Sequence, residues 1–203
     1  MVCIVDYGVG NLFSLKSSFE AIGQEVVVTS DPNIIAKSER LILPGVGAFG
    51  DAAKKLRDSG LDKIVSEYAA SGRPLMGICL GMQLLFEKSY EYGEHEGLGL
   101  MPGSIVAFRG RIDEKYKIPQ MGWNALEFNG ERSAIFKYIK DGDFVYFVHS
   151  YFADTDKKYV AAYTEYGAQI TAAVHKDNVF GCQFHPEKSG SVGLNILKAF
   201  CEL

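Results

Sequence analysis

Short apolar runs alternate with amphipathic stretches through the first part of the chain. Four apolar runs have the length of strands buried on both faces of a sheet: 2–5, 26–28, 41–43 and the run after Pro74. Apolar residues at helical spacing predict helices at 12–22, 52–57, 61–70 and 192–200. This alternation predicts an α/β fold, with a mostly parallel central sheet flanked by helices.

From residue 104 onward the pattern changes to β-rich segments separated by turns such as 140–143. The segments are 105–108, 144–148, 159–163, 170–174 and 179–184. We therefore expect a mixed or antiparallel β-rich C-terminal half. Because no linker or internal repeat interrupts the pattern, residues 1–203 are expected to form one domain.

Composition narrows the class of protein. Hydrophobic residues make up 47% of the chain, enough for a sizeable core. The net charge of -4 gives no basic footprint for nucleic acid, and no apolar run approaches the roughly 20 residues of a membrane span. Met1 leads directly into a strand-like run, so we expect no signal peptide.

The cysteine pattern bears on redox environment and metal binding. The four cysteines are Cys3, Cys79, Cys182 and Cys201. They form no Cys-x-x-Cys pair and no Cys/His cluster with zinc spacing. These features predict a protein of the reducing cytoplasm without a structural zinc site.

Residues 73–86 contain the strongest candidate for a catalytic residue. A buried strand is followed by Gly77-Ile78-Cys79-Leu80-Gly81, and Met82, Leu85 and Phe86 then resume at helical spacing. Glycines two residues either side of a nucleophile are typical of the sharp strand-to-helix elbow of hydrolases. The dipole of the following helix favours the thiolate form. A structural cysteine would explain the apolar flanks but not the two glycines.

A nucleophilic thiol requires a proton acceptor, and the chain has four histidines. His185 follows a predicted strand, and Glu187 lies close enough in sequence to orient its imidazole. His149 also follows a strand and is the alternative base, although it has no acid beside it in sequence. His95 and His175 have the sequence surroundings of surface residues.

Residues 77–83 (GICLGMQ) and 185–187 (HPE) resemble the nucleophile and base motifs of the class-I glutamine amidotransferases. Residues 44–51, 119–124 and 80–86 resemble the histidine-biosynthesis branch of that family. The resemblance covers nearly the whole chain. It implies hydrolysis of glutamine to glutamate and ammonia through a cysteine thioester, without a metal or organic cofactor.

The resemblance also implies a role for individual residues. The catalytic triad would be Cys79, His185 and Glu187. The N–H groups of Val46 and Leu80 would stabilise the oxyanion. The substrate-binding residues would be Gly47, Gln83, Glu91, Ser150 and Tyr151. By strand alternation Cys182 faces away from His185, so we expect it in the core, with Cys3 and Cys201.

A glutaminase alone would waste glutamine, so the resemblance implies a heterodimer with a (β/α)₈-barrel cyclase subunit that receives the ammonia. Trp123 and Lys188 are the predicted interface residues. Without the resemblance, the first interpretation would be Trp123 in the core and Lys188 in solvent. Three alternatives stay open: a related subunit that feeds a sugar-modifying synthase, a cysteine peptidase of the same fold, and a non-catalytic regulatory subunit. The intact triad motifs argue against the last.

Overall fold

In the computed structural model, which describes residues 1–203, the chain folds around an eight-stranded sheet. In chain order the strands are β1 (Val2–Val5), β2 (Val26–Thr29), β3 (Arg40–Leu43), β4 (Leu75–Ile78), β5 (Phe86–Ser89), β6 (His95–Glu96), β7 (Met101–Ala107), β8 (Gln120–Ala125), β9 (Glu127–Phe128), β10 (Phe144–His149), β11 (Tyr151–Asp154), β12 (Val160–Glu165), β13 (Gln169–Lys176) and β14 (Val179–Cys182). The α-helices are α1 (Leu12–Ala21), α2 (Pro32–Lys37), α3 (Phe49–Asp58), α4 (Leu61–Ala70), α5 (Leu80–Leu84) and α6 (Gly190–Phe200).

The central sheet has the strand order β2-β1-β3-β4-β14-β13-β12-β9. The first five strands in this order are parallel, whereas β13, β12 and β9 continue the sheet antiparallel. The predicted α/β fold with a mostly parallel centre and a mixed β-rich second half is therefore confirmed. In register, Leu43 pairs with Gly77 and Ile78 with Cys182, so β3, β4 and β14 end side by side.

Helices cover both faces of the sheet because its central strands are apolar on both. Val2 and Ile4 of β1 point into a core cluster with residues of α1 and α6. Cys3 and Val5, which alternate with them, point into a second cluster with residues of α2, α3 and α4. The sheet is thus a buried middle layer, and polar groups needed for chemistry lie at its edge.

Two smaller sheets lie beyond the central one. Strands β8 and β10 form an antiparallel ribbon, and β11-β7-β5-β6 form a four-stranded sheet. The prediction that the helix after Cys79 includes Phe86 is wrong: α5 ends at Leu84, and Phe86 begins β5. No helix is long and apolar enough to cross a membrane.

Candidate active site

Three neighbouring parallel strands end at one edge of the sheet, and segments with predicted site residues follow each of them. The loop 44–48 follows β3, Cys79 follows β4 directly, and His185 lies three residues beyond the end of β14. Because parallel strands of an open α/β sheet present their carboxyl ends at one edge, these three segments converge there.

Cys79 occupies a strained elbow between β4 and α5. Its φ of 53° and ψ of -113° are unusual for a residue with a side chain, a conformation that costs about 1–3 kcal/mol. The turn is tight enough to exclude side chains beside it: a Cβ on Gly81 would lie 1.9 Å from the Leu43 carbonyl oxygen, and one on Gly77 would lie 2.6 Å from the Gly81 oxygen. The two glycines are therefore required by close packing, as the sequence pattern predicts.

His185 is fixed between Cys79 and the buried carboxylate of Glu187. Its Nδ1 lies 2.8 Å from Oε1 of Glu187, and the two side chains are only 3% and 1% exposed. Its backbone N–H donates to the Tyr146 carbonyl, and its carbonyl accepts from the Ser189 hydroxyl. The imidazole thus has little freedom to leave the position between Glu187 and Cys79.

The charge state of His185 follows from these neighbours. Burial opposes protonation of the imidazole, but hydrogen bonds and charge interactions with Cys79 and Glu187 outweigh it and raise the pKa of His185 to about 10. The geometry therefore favours an imidazolium beside the sulfur. An imidazolium of this kind can donate a proton to a leaving group once the thiolate has attacked.

A cleft of about 330 Å³ opens over the elbow. Its walls include nine of the residues predicted for the site: Val46, Gly47, Cys79, Leu80, Gln83, Glu91, Ser150, Tyr151 and His185. Pro119, Val148 and His149 complete the lining. The volume and the mixture of apolar walls with a few convergent polar groups are typical of a small-molecule site.

The loop after β3 forms one rim of the cleft. The Tyr7 hydroxyl donates to the Pro44 carbonyl, which anchors the start of the loop. Val46 is 43% exposed, and its N–H has no hydrogen-bond partner within the chain. Glu91 accepts a hydrogen bond from the Phe49 N–H at the start of α3, so it joins the opposite rim to this loop.

His149, the alternative base, also lies in the cleft wall but in a different electrostatic setting. It is 6% exposed, and its Nδ1 lies 2.8 Å from the Tyr151 carbonyl, so Nδ1 carries the proton. Its Nε2 is buried without a partner. Burial, with a smaller contribution from the charge of His185, lowers the pKa of His149 to about 4. Between the two histidines, the contacts with Cys79 and Glu187 favour His185 as the proton carrier.

The depressed pKa of His149 predicts acid sensitivity of the fold. The unfolded imidazole titrates near its ordinary pKa of 6.5, and the folded one has a pKa of about 4. Its contribution to the stability of the fold is therefore present above pH 6.5 and is lost as the pH falls toward 4. The difference corresponds to about 3 kcal/mol. Asparagine can keep the donor to Tyr151 but cannot be protonated. We therefore expect His149→Asn to lose less stability between pH 7 and pH 4 than the wild type, as measured by urea unfolding; equal losses would contradict this assignment.

The predicted interface residues lie outside the cleft: Trp123 is on the exposed face of the β8–β10 ribbon, and Lys188 lies in the single 3₁₀ turn Pro186–Lys188 that follows His185. Trp123 is 52% exposed and contacts Tyr146 edge-on, with ring centroids 6.1 Å apart. The Lys188 Nζ lies 5.8 Å from the centre of the same Tyr146 ring. Trp123 is thus not a core residue, and Lys188 is exposed, with its ammonium group over the Tyr146 ring. Met121 and Phe144 enlarge this exposed apolar face.

Sequence reasoning missed one residue that touches Cys79. Gln183 is fully buried, and its Nε2 lies 3.9 Å from the Cys79 Sγ. A signal was available, because Gln183 is a polar residue in an apolar segment and shares a face with His185 in extended chain. Cys182, on the other face, lies in the core cluster as predicted.

Known proteins resemble this chain over its whole length. The sequence model of the family "Glutamine amidotransferase class-I" matches residues 3–202. The imidazole glycerol phosphate synthase subunit HisH of Wolinella succinogenes is 49% identical over 205 residues, covering 100% of both chains. The subunit of the same name from Carboxydothermus hydrogenoformans is 50% identical over 203 residues, again covering 100% of both.

A solved structure shares the fold at lower sequence similarity. The structure of PurLQS from Thermotoga maritima matches 99% of this chain and 97% of that chain, with a TM-score of 0.74 and 20% identity. At that identity the match shows the common architecture.

Proposed function

The chain belongs to the class-I glutamine amidotransferase family, and from that premise we propose that it is the glutaminase subunit of imidazole glycerol phosphate synthase in histidine biosynthesis. The observation that carries the proposal is the identity of about half of all residues, over the full length, to two relatives of that name. Residues 1–203 would act as a single glutaminase domain. The four free cysteines support a reducing, cytoplasmic location.

The proposed reaction begins when the Cys79 thiolate attacks the side-chain amide carbon of glutamine. The N–H groups of Val46 and Leu80 would stabilise the oxyanion, and one such donor is typically worth roughly 3 kcal/mol of barrier. The His185 imidazolium donates its proton to the leaving ammonia, while Glu187 orients the ring. The neutral imidazole then accepts a proton from water, and the hydroxide attacks the glutamyl thioester. The C–S bond breaks, glutamate is released, and the Cys79 thiolate is restored beside the re-formed imidazolium.

The walls of the cleft are proposed to hold the rest of the substrate. Glu91, a carboxylate at the rim, suits the α-ammonium group of glutamine. Gly47, Ser150 and Tyr151 line the same space and supply backbone and hydroxyl groups. Gln83 lines it as well, and its Oε1 has no partner within the chain, so it can accept a hydrogen bond from the substrate.

The proposed partner is a (β/α)₈-barrel cyclase subunit that receives the ammonia. The exposed apolar face of the β8–β10 ribbon supports this, because contiguous apolar surface of this kind marks interaction sites. Trp123 has the character of an aromatic anchor, and Lys188 can pair with a partner carboxylate. The face is joined to the catalytic residues, since the Tyr146 carbonyl beneath Trp123 accepts the backbone N–H of His185.

We expect the isolated chain to hydrolyse glutamine slowly and a ligand-loaded cyclase to accelerate it, because a partner can raise activity by stabilising the assembled oxyanion hole. Trp123→Ala should raise the cyclase concentration for half-maximal stimulation by at least about tenfold, a typical hot-spot effect. The measurement is steady-state glutaminase rate against cyclase concentration.

The matched control for this experiment is Ile34→Ala. Ile34 is also an exposed apolar residue, but it lies on α2, away from the ribbon. It should leave the half-maximal concentration unchanged. A full rate from the chain alone would contradict the activation, and stimulation by a sugar-modifying synthase instead of the cyclase would assign the chemistry to another pathway.

A further inference from the structure

A chain of buried amides leads from the cleft wall to the nucleophile. The Gln83 Nε2 lies 3.1 Å from the Tyr151 carbonyl oxygen and 3.0 Å from Oε1 of Gln183. The Gln183 Nε2 lies 3.9 Å from the Cys79 Sγ. Both glutamines are buried, at 5% and 0% exposure.

The orientation of both amides is determined by the Tyr151 carbonyl, the first group in this series of hydrogen bonds. A backbone carbonyl only accepts, so the Gln83 group that faces Tyr151 must be its NH₂. The same NH₂ then directs its second hydrogen at Gln183, whose facing atom must be the carbonyl oxygen. The Gln183 NH₂ is thereby turned toward the sulfur.

From this geometry we infer that Gln183 is a further residue of the catalytic site, whose amide donates a hydrogen bond to the Cys79 thiolate, and that Gln83 is the positioning residue which keeps that amide turned toward the sulfur. No proton is transferred in this interaction; the donor stabilises the anionic form of the nucleophile.

The charge balance at the sulfur explains why such a donor is useful. His185 places a positive charge against Cys79, and its proton is needed for the leaving group. After that proton departs, His185 stays neutral until it takes a proton from water, so the charge that it offers the sulfur changes through the cycle. A donor that never changes its protonation state is useful both when the thiolate attacks and when it leaves. A neutral amide held in the buried interior can supply this in both steps, and donors to charged groups are the stronger class of hydrogen bond.

The hydrogen bonds between these amides also leave one group of Gln83 free for the substrate. Both hydrogens of the Gln83 NH₂ are used within the protein, so only its carbonyl oxygen remains free at the cleft. Gln83 therefore cannot reverse its amide to suit a ligand without releasing Gln183. Gln83, which is proposed to contact the substrate, is in this way mechanically coupled to Gln183, the donor to Cys79.

The inference rests on the proposed role of Cys79 but not on glutamine turnover, so its test uses alkylation. Iodoacetamide labelling of Cys79 is followed against pH, with the modified peptide quantified by mass spectrometry. Gln183→Met, which keeps similar bulk without a donor, should move the midpoint of the profile upward by about one pH unit, or roughly tenfold less thiolate at a given pH. Gln83→Met should move it in the same direction by less, because the Gln183 amide is then free to turn.

Gln120→Met is the matched control, since Gln120 is a fully buried glutamine whose amide bonds to Asn124 rather than to the site. It should leave the midpoint unchanged. Thermal unfolding of each variant separates a structural role from the proposed one. Loss of stability with an unshifted midpoint in both Gln183→Met and Gln83→Met would overturn the inference; if Gln183→Met does not fold, the Gln83→Met profile decides alone.

Discussion

Cys79→Ser abolishes glutamine hydrolysis, with an expected loss in kcat on the order of 10⁶-fold, the effect of removing a nucleophile that acts in a unit. The hydroxyl occupies the same elbow, but it is a much weaker nucleophile than a thiolate. No other thiol can replace it, because Cys3, Cys182 and Cys201 are packed in the core and burial raises the pKa of each. The measurement is glutamate production with the synthase partner present.

Two controls accompany this variant. The unfolding temperature of Cys79→Ser should stay close to that of the wild type, since one atom changes at a position that keeps its backbone. An electrophilic glutamine analogue should label the wild type at Cys79 alone. A label on Cys182, or turnover at the wild-type rate in Cys79→Ser, would place the nucleophile elsewhere.

The order of elements in the first half was predictable because its strands are buried on both faces. A run such as residues 2–5 contains only apolar side chains, and no other short element tolerates that pattern as well. Helix α2 escaped prediction although its start is marked by Asp31, which accepts from the Asn33 N–H, and by Pro32. With six residues and only Ile35 buried, it has too little periodicity to be detected.

The extent of the helix after Cys79 could not be read from periodicity. Residues 82–86 are all buried, so their apolar pattern fits a helix and a strand equally. The chain turns into β5 at Phe86 because that residue packs in the core beside Met101 of the neighbouring strand β7. This is a tertiary effect, and local sequence does not contain it.

The candidate site likewise has one part that the sequence predicts and another part that it does not. The elbow and the His185–Glu187 pair are local in sequence, so motifs located them. The position of Gln183 against Cys79, and of His149 in the cleft wall, depends on contacts between residues about 70 to 100 positions apart. Only the pairing of β14 with β4 and the placement of the β8–β10 ribbon bring those groups to the thiol.

His185→Ala is expected to lower kcat by roughly 10²–10⁴-fold, more than Glu187→Ala, because the imidazole transfers protons and the carboxylate orients it. Removal of His185 also leaves Glu187 as an unpaired buried charge, which costs about 3–5 kcal/mol of stability. His185→Asn, which can still donate to that carboxylate, is therefore the folded control. The double variant His185→Ala/Glu187→Ala should be little slower than His185→Ala, because triad residues act together.

Glu187→Gln gives the sharper test of the pair, because it removes the negative charge and keeps the shape. That charge helps to hold the pKa of His185 at about 10, so its loss lowers the pKa. The imidazolium needed to protonate the leaving ammonia is then lost at a lower pH. The alkaline limb of kcat/KM against pH should move toward neutrality in Glu187→Gln and stay in place in His149→Asn. An unmoved alkaline limb in Glu187→Gln would contradict the assignment of that limb to His185, whereas a limb that moves in His149→Asn instead would assign the proton to His149.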